Sequence, residues 1–318
     1  MNLLNFITSA IRLSAVFLFG STGEIITEKS GNLNLGIPGV MCVGASCGCV
    51  AESIYFQSLG RSKPVYILVV LIPIIAAILG GAAVGLIYSF MTVTLRANQN
   101  VTGLTLTTLG VGVSDYMIAQ IDTTFSRGGK YFTQGLPFAD KLGDFGTVTF
   151  SYGILVWLAI AVAIIASIVL TRTKVGLYLR AVGENPATAD ATGINVTRYK
   201  YLATIIGCGI AGLGGLSYIM DTLYGNWEYD IDAMGWLAIA LVIFAVWKPY
   251  LSIFCSIVFG GLYIASSFIP GIGFAGKEIF KMLPYAVTII VLIFVSARKK
   301  RENLPPASLG QSYFREER

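Results

Sequence analysis

The chain has no histidine among its 318 residues. That removes imidazole general bases, Ser-His triads and His-ligated metal centres. Charge is also scarce: Asp, Glu, Lys and Arg make up 12% of the residues, about half the ~25% usual in soluble domains. With no clustered intramembrane carboxylates either, the common acid–base and metal schemes of a membrane enzyme lack their residues. Gly-x-x-x-x-Gly-Lys-Ser/Thr does not occur, so the chain has no phosphate-cradling loop with which to hydrolyse ATP itself. There are 5 cysteines, and Cys47 and Cys49 form a Cys-x-Cys within an uncharged stretch. That spacing can hold a soft metal, but the reading taken here is small buried hydrophobes, with no metal site. The start carries Arg12 but no small-residue cleavage site, so the first apolar stretch is expected to be retained.

What remains is apolar. Hydrophobic residues make up 55% of the chain and mean hydropathy is +0.74. Residues 64–95, 97–114, 145–171, 201–220 and 249–276 each run without an acidic or basic residue. A spanning helix needs ~20 mostly apolar residues. The expected class is therefore an all-α polytopic membrane protein with about 8–9 transmembrane helices, some broken or re-entrant. Spans are expected near 3–20, 36–55, 65–92, 101–121, 150–171, 201–220, 233–247, 250–269 and 279–297. Residues 22–36 and 92–108 are too polar for simple spans. Residues 122–149, with Arg127, Lys130, Pro137 and Lys141, read as a longer loop. The membrane domain is placed at 1–298, followed by a cytoplasmic polar tail at 299–318.

Charge sets the sidedness. Residues 172–200 carry Arg172, Lys174, Arg180, Arg198 and Lys200, and the tail carries Arg298, Lys299, Lys300, Arg301, Arg315 and Arg318. Residues 221–232 hold Asp221, Glu228, Asp230 and Asp232 and nothing basic. The positive-inside rule puts the first two in the cytoplasm and the third outside. Nine full crossings leave the amino terminus outside, and one re-entrant segment reverses that. Small residues recur at four-residue spacing in Gly81 and Gly85, and again in Gly207, Ala211 and Gly215. That pattern lets helix backbones approach closely in lipid.

Between two hydrophobic stretches lies a short, soluble-looking helix. Asn185 suits its N-cap, Pro186 its first position and Gly193 its left-handed end. Ala187, Thr188, Ala189, Asp190, Ala191 and Thr192 are small enough to enter a cleft, and Glu184 lies at the positive end of the helix. So short a helix is marginal alone and needs a surface to dock on. By itself it reads equally well as an ordinary capped turn.

Gly176-Leu-Tyr-Leu-Arg-Ala-Val-Gly-Glu-Asn-Pro-Ala-Thr-Ala-Asp-Ala-Thr-Gly193 resembles the coupling loop of ABC importer permeases of the branched-chain amino acid, simple sugar and nucleoside family. Gly23-Glu-Ile-Ile-Thr-Glu-Lys-Ser-Gly-Asn-Leu-Asn-Leu-Gly-Ile-Pro-Gly39 resembles that family's amino-terminal signature, most closely in the nucleoside subgroup. Asn98-Gln-Asn-Val-Thr-Gly-Leu-Thr-Leu-Thr-Thr-Leu-Gly110 is similar to its central segment. The resemblance covers roughly residues 20–300. After the seventh span, where relatives often have Gly and Asn-Pro, this chain reads Phe-Ala-Val-Trp247-Lys248-Pro249, and no role is carried onto 247–248.

The resemblance implies a non-catalytic permease in a bacterial plasma membrane, with no cofactor of its own and no nucleic acid partner. ATP and Mg belong to a separate ATP-binding subunit. An extracellular or periplasmic substrate-binding protein delivers cargo, and a second, longer permease completes the pathway. The helix at 186–192 would sit in a cleft of the ATPase. Arg180, Glu184, Asn185, Pro186, Ala189, Asp190 and Gly193 form that joint. Uncommon polar residues at membrane depth tend to face cavities, which makes Asn32, Asn34, Asn98, Gln99, Asn100, Thr102 and Thr105 candidates for the pathway. The same amides can instead cap helix breaks or bridge helices. Glu228, Asp230 and Asp232 are candidates for seating the binding protein, against the plainer reading of a solvated loop. Simple sugars or branched-chain amino acids are the alternative cargo. A secondary transporter or channel is the further alternative, although the coupling charges and the repeated half expected of one are not evident.

Overall fold

The five uncharged runs lie largely in helices, because a backbone inside a bilayer must satisfy its own hydrogen bonds. The computed structural model describes residues 3–60, 62–135, 143–269, 271, 273–297 and 304–314. Among these there is no strand. In chain order the helices are α1 (Leu3–Glu28), α2 (Ile37–Leu59), α3 (Tyr66–Ser89), α4 (Gln99–Ala119), α5 (Ser126–Phe132), α6 (Gly143–Phe150) and α7 (Ile154–Arg172). They continue with α8 (Lys174–Glu184), α9 (Pro186–Ala191), α10 (Val196–Ser217), α11 (Ile231–Phe244), α12 (Pro249–Phe268), α13 (Phe274–Lys281) and α14 (Leu283–Ala297). Pro137 and Lys141 of the expected loop, and Arg298 to Arg301, Arg315 and Arg318 of the tail, lie outside the described residues.

Among the described residues, six helical segments are long and apolar enough to cross a membrane: Leu3–Glu28, Ile37–Leu59, Tyr66–Thr94, Ile154–Arg172, Val196–Thr222 and Pro249–Phe268. Three more of the expected spans are helices that fall short of that standard. Helix α4 has 21 residues but is diluted by amides and threonines; α11 has 14 residues and α14 has 15. Two of the six end in a π turn, Phe90–Thr94 after α3 and Tyr218–Thr222 after α10.

Helices α1, α2, α3 and α10 form the middle of the bundle. Helix α10 packs on the other three, α12 packs on α1, and α4 on α2. Both small-residue faces lie at these crossings. A Cβ on Gly85 would stand 2.7 Å from the Cys208 Cβ, and one on Gly212 would stand 2.6 Å from the Ala77 carbonyl oxygen. Gly207 meets Gly23, and Gly215 meets the Met41 carbonyl. Outward faces of α3 and α7 are apolar, with Ile67, Ile75, Leu79, Leu86, Ile165 and Ile168 exposed. Such bands are unfavourable in water and at home in lipid.

The bundle has two chemically distinct ends. One carries α8, α9, the turn after α1 and the start of α4, with Trp247 donating its indole N–H to the Glu28 carboxylate there. The other carries the beginning of α1, the 121–135 segment and residues 221–230; Phe6 meets Phe268 edge-on with ring centroids 5.4 Å apart. The first is the basic end and the second the acidic end.

Candidate functional site

The basic end is built from local signals. Thr173 opens α8, its hydroxyl accepting from the Gly176 N–H at 3.1 Å. Asn185 closes α8 and opens α9. Its N–H donates to the Ala181 carbonyl at 3.0 Å, and its side-chain oxygen accepts from the Thr188 N–H at 3.0 Å. Pro186 occupies the first turn of α9, where a missing N–H costs nothing. Gly193 takes φ +85°, and the Ile194 N–H donates back to the Ala189 carbonyl at 3.1 Å. Ala189 is buried against Val182 and Val196, which fastens this short helix to the bundle. Arg180, Glu184, Asn185, Ala187 and Thr188 remain exposed, and Asp190 is half-buried. The protein therefore offers α8's last turn and α9's first turn to the outside.

The three family-like motifs meet at the turn between α1 and α2. Asn34 donates its backbone N–H to a Glu24 carboxylate oxygen at 3.0 Å and its amide to the Cys208 sulfur at 3.3 Å. Asn32 donates to the Thr204 hydroxyl at 3.0 Å. Gln99 accepts the Leu33 N–H at 2.7 Å, and Thr107 donates to the Leu35 carbonyl at 3.0 Å. Gly183 of α8 lies against the Lys29 carbonyl. Burial lowers the pKa of Lys29 from its ordinary value, and the Glu184 carboxylate raises it in opposition.

The polar pathway candidates thus divide by location. Asn32, Asn34 and Gln99 are buried and bonded to the protein, and Thr102 is buried beside them. Asn98 caps α4, accepting from the Val101 N–H at 3.1 Å. Asn100 and Thr105 are exposed. Thr105 shares an open groove of about 670 Å³ with Thr108, Leu109, Gly112, Val113 and Tyr116.

At the acidic end Glu228 is exposed, while Asp230 and Asp232 are half-buried. Asp230 accepts from the Tyr218 hydroxyl at 2.9 Å and 3.1 Å. Arg12 stands 3.8 Å from the buried Asp221 carboxylate and donates to the Tyr224 hydroxyl at 2.5 Å. The five cysteines are free thiols, and no group of three or more metal-type ligands occurs among the described residues.

One set of contacts escaped the sequence reading. Residues 304–314 are docked on the basic end, where Tyr313 donates to an Asp190 carboxylate oxygen at 2.8 Å. In the sequence only a weak sign marks it: Leu304, Pro306, Leu309, Tyr313 and Phe314 interrupt an otherwise polar tail without a helical or strand period.

Comparison with known proteins fits this convergence of motifs. The family described as the branched-chain amino acid transport system permease component matches residues 6–292. The chain belongs to this permease family. It is 30% identical to the nucleoside ABC transporter permease protein NupC of Lactococcus lactis, covering 99% of each chain. It is 29% identical to the guanosine ABC transporter permease protein NupQ of Bacillus subtilis, covering 88% of each. A Haloferax volcanii chain provisionally named as the glucose ABC transporter permease protein TsgC13 is 30% identical, over 98% of this chain and 97% of its own. This permease is thus an ABC transporter component and a multi-pass protein of the cell membrane.

Proposed function

We propose that this permease is the transmembrane subunit of an ATP-driven, binding-protein-dependent importer of nucleosides in a bacterial plasma membrane. The end-to-end likeness to NupC carries the reading. Nine passes account for the charge distribution: α1, α2, α3, α4, α7, α10, α11, α12 and α14 cross, the basic end faces the cytoplasm and the acidic end faces outward.

Helix α9 couples the subunit to a separate ATP-binding protein, which uses ATP and Mg. Its open face, Ala187 and Thr188 flanked by Glu184 and Arg180, enters the partner's cleft, while buried Ala189 seats the helix against the bundle. The chain forms half of the pathway and a second, longer permease forms the rest. Its contribution is the open face of α4. There Tyr116 offers an aromatic face for a nucleobase, and Thr105 and Thr108 offer neutral hydroxyls for ribose, with Asn100 exposed apart from them in the helix's first turn. The buried amides have a different task, holding α4 and α10 to the α1–α2 turn. Glu228, Asp230 and Asp232 meet basic residues of the substrate-binding protein.

The equally long likeness to TsgC13 supports a second reading, a simple sugar as cargo. Reconstitution with the partner ATPase, second permease and binding protein decides between them. The expected result is ATP-dependent uptake of radiolabelled nucleoside, unaffected by excess ribose or glucose, and no uptake by this chain alone. Accumulation against a gradient by the isolated chain would overturn the reading in favour of a secondary carrier.

A further inference from the structure

Residues 304–314 lie against the basic end of the bundle. Ser308 donates its N–H to the Gly183 carbonyl at 3.1 Å and its hydroxyl to the same oxygen at 2.5 Å. Gly183 lies in the last turn of α8, where carbonyls have no partner within the helix, so Ser308 closes that end from outside. Gly310 donates its N–H to the Gly31 carbonyl at 3.1 Å. The Gln311 carbonyl accepts from the side chain of Gln99 at 3.3 Å, in the first turn of α4. Tyr313 holds Asp190 of α9, and the Arg96 guanidinium lies over the Phe314 ring, 4.7 Å from its centroid. One short segment therefore touches α8, α9, the α1–α2 turn, the α3–α4 connection at Arg96 and the start of α4 at Gln99.

It also shapes the outer surface. A groove of about 330 Å³ runs between Glu184–Ala187 on one wall and Ser308, Gln311, Tyr313 and Phe314 on the other. The segment lies beyond residues 6–292, so the family match does not account for it.

We propose that residues 306–314 are a positioning strap, in which Ser308 and Tyr313 fix α8 and α9 relative to α4 and pass displacement of α9 on to the pathway face. The proposal rests on the reading of α9 as the coupling helix. Without the strap, α9 is held to the bundle by the small cluster of Val182, Ala189 and Val196, and its movement can dissipate locally. With it, motion at Asp190 reaches Gln99 through a few residues of connected backbone. Gln99 in turn holds the Leu33 N–H, so the α1–α2 turn moves with it.

The test uses the complete transporter in lipid nanodiscs or vesicles and reads substrate imported per ATP hydrolysed, with melting temperature measured alongside. Two variants are compared with the parent, Tyr313→Phe and a chain ending after Asn303. Each should lower the import-to-hydrolysis ratio, by roughly two- to tenfold for Tyr313→Phe, which is what one net hydrogen bond is worth. A general loss of stability would instead lower the melting temperature and both rates together, leaving the ratio intact, and that result would overturn the proposal. If the truncated chain does not assemble, Tyr313→Phe decides alone, since it removes one hydroxyl. A photo-crosslinking residue at Thr188 separates the two layers of argument. Crosslinking to the ATPase with an unchanged ratio in both variants sinks the strap and leaves the coupling helix standing. Absence of crosslinking in the parent sinks both.

Discussion

Gly23 of α1 and Gly207 of α10 pack backbone against backbone, each occupying the space a side chain of the other would need. A Cβ on Gly207 meets the Gly23 carbonyl and the Thr27 hydroxyl, and one on Gly23 meets the Gly207 carbonyl. The same crossing sets the depth at which Asn32 reaches Thr204 and Asn34 reaches Cys208. The amino-terminal motif therefore serves as a helix-crossing lock, and its amides register one helix on another.

Gly207→Ala should accordingly overpack this crossing and destabilise the protein by ~1–3 kcal/mol. Gly112 has open space around it on α4, so Gly112→Ala should be neutral or slightly stabilising, since Ala is the better helix former. Melting temperatures in detergent compare the two. Equal effects would show that close approach is not what Gly207 provides.

Val246 and Trp247, between α11 and α12, have φ +54° and +53°. Left-handed backbone costs an L-residue about 1–2 kcal/mol, a cost that glycine escapes. Trp247 has a reason to stay, its N–H being bonded to Glu28; half-buried Val246 has no such bond. Val246→Gly should raise the melting temperature, with the gain trimmed by about 0.5–1 kcal/mol of glycine entropy. A fall would mean that the packing of the valine side chain outweighs the strain.

How much of this was legible in the sequence depends on the range of each interaction. Asn185, Pro186 and Gly193 act within a few residues, so the ends of α9 could be read directly from their order. The small faces at Gly81 and Gly207 could be read because helical period and lipid packing repeat the same spacing. The bonding of Asn32, Asn34 and Gln99 could not, because polarity announces that a residue needs a partner without saying whether that partner is cargo or protein. The strap was hidden for a related reason. Tyr313 and Asp190 lie far apart in the chain, and a polar tail with a few apolar residues gives no period to read.

Lys29 follows the basic end's electrostatics. Burial holds its pKa below the ordinary lysine value, partly offset by Glu184. Between the folded and unfolded pKa values the folded chain binds fewer protons than the unfolded one, so this residue makes stability rise with pH across that window. Below the folded value the buried charge opposes folding in full. Lys29→Met should flatten that rise and increase stability most at neutral pH. Melting temperatures measured from neutral pH towards the ordinary lysine pKa of about 10.4 would show the slope disappear; an unchanged slope assigns it to another group.

Glu184 and Glu228 are both exposed, at opposite ends of the bundle, and charge reversal at each tests a different partner. Glu184→Arg should leave the complex assembled and reduce substrate-stimulated ATP hydrolysis roughly tenfold, within the ~1–3 kcal/mol typical of coupling between sites. Glu228→Arg should instead raise the concentration of binding protein needed for half-maximal stimulation and leave the maximum near the parent's, because a rim charge acts chiefly on encounter. The two variants thus separate the plateau of the stimulation curve from its midpoint. Had Glu184 merely carried surface charge, its reversal would leave both unchanged, and α9 would be an ordinary capped turn.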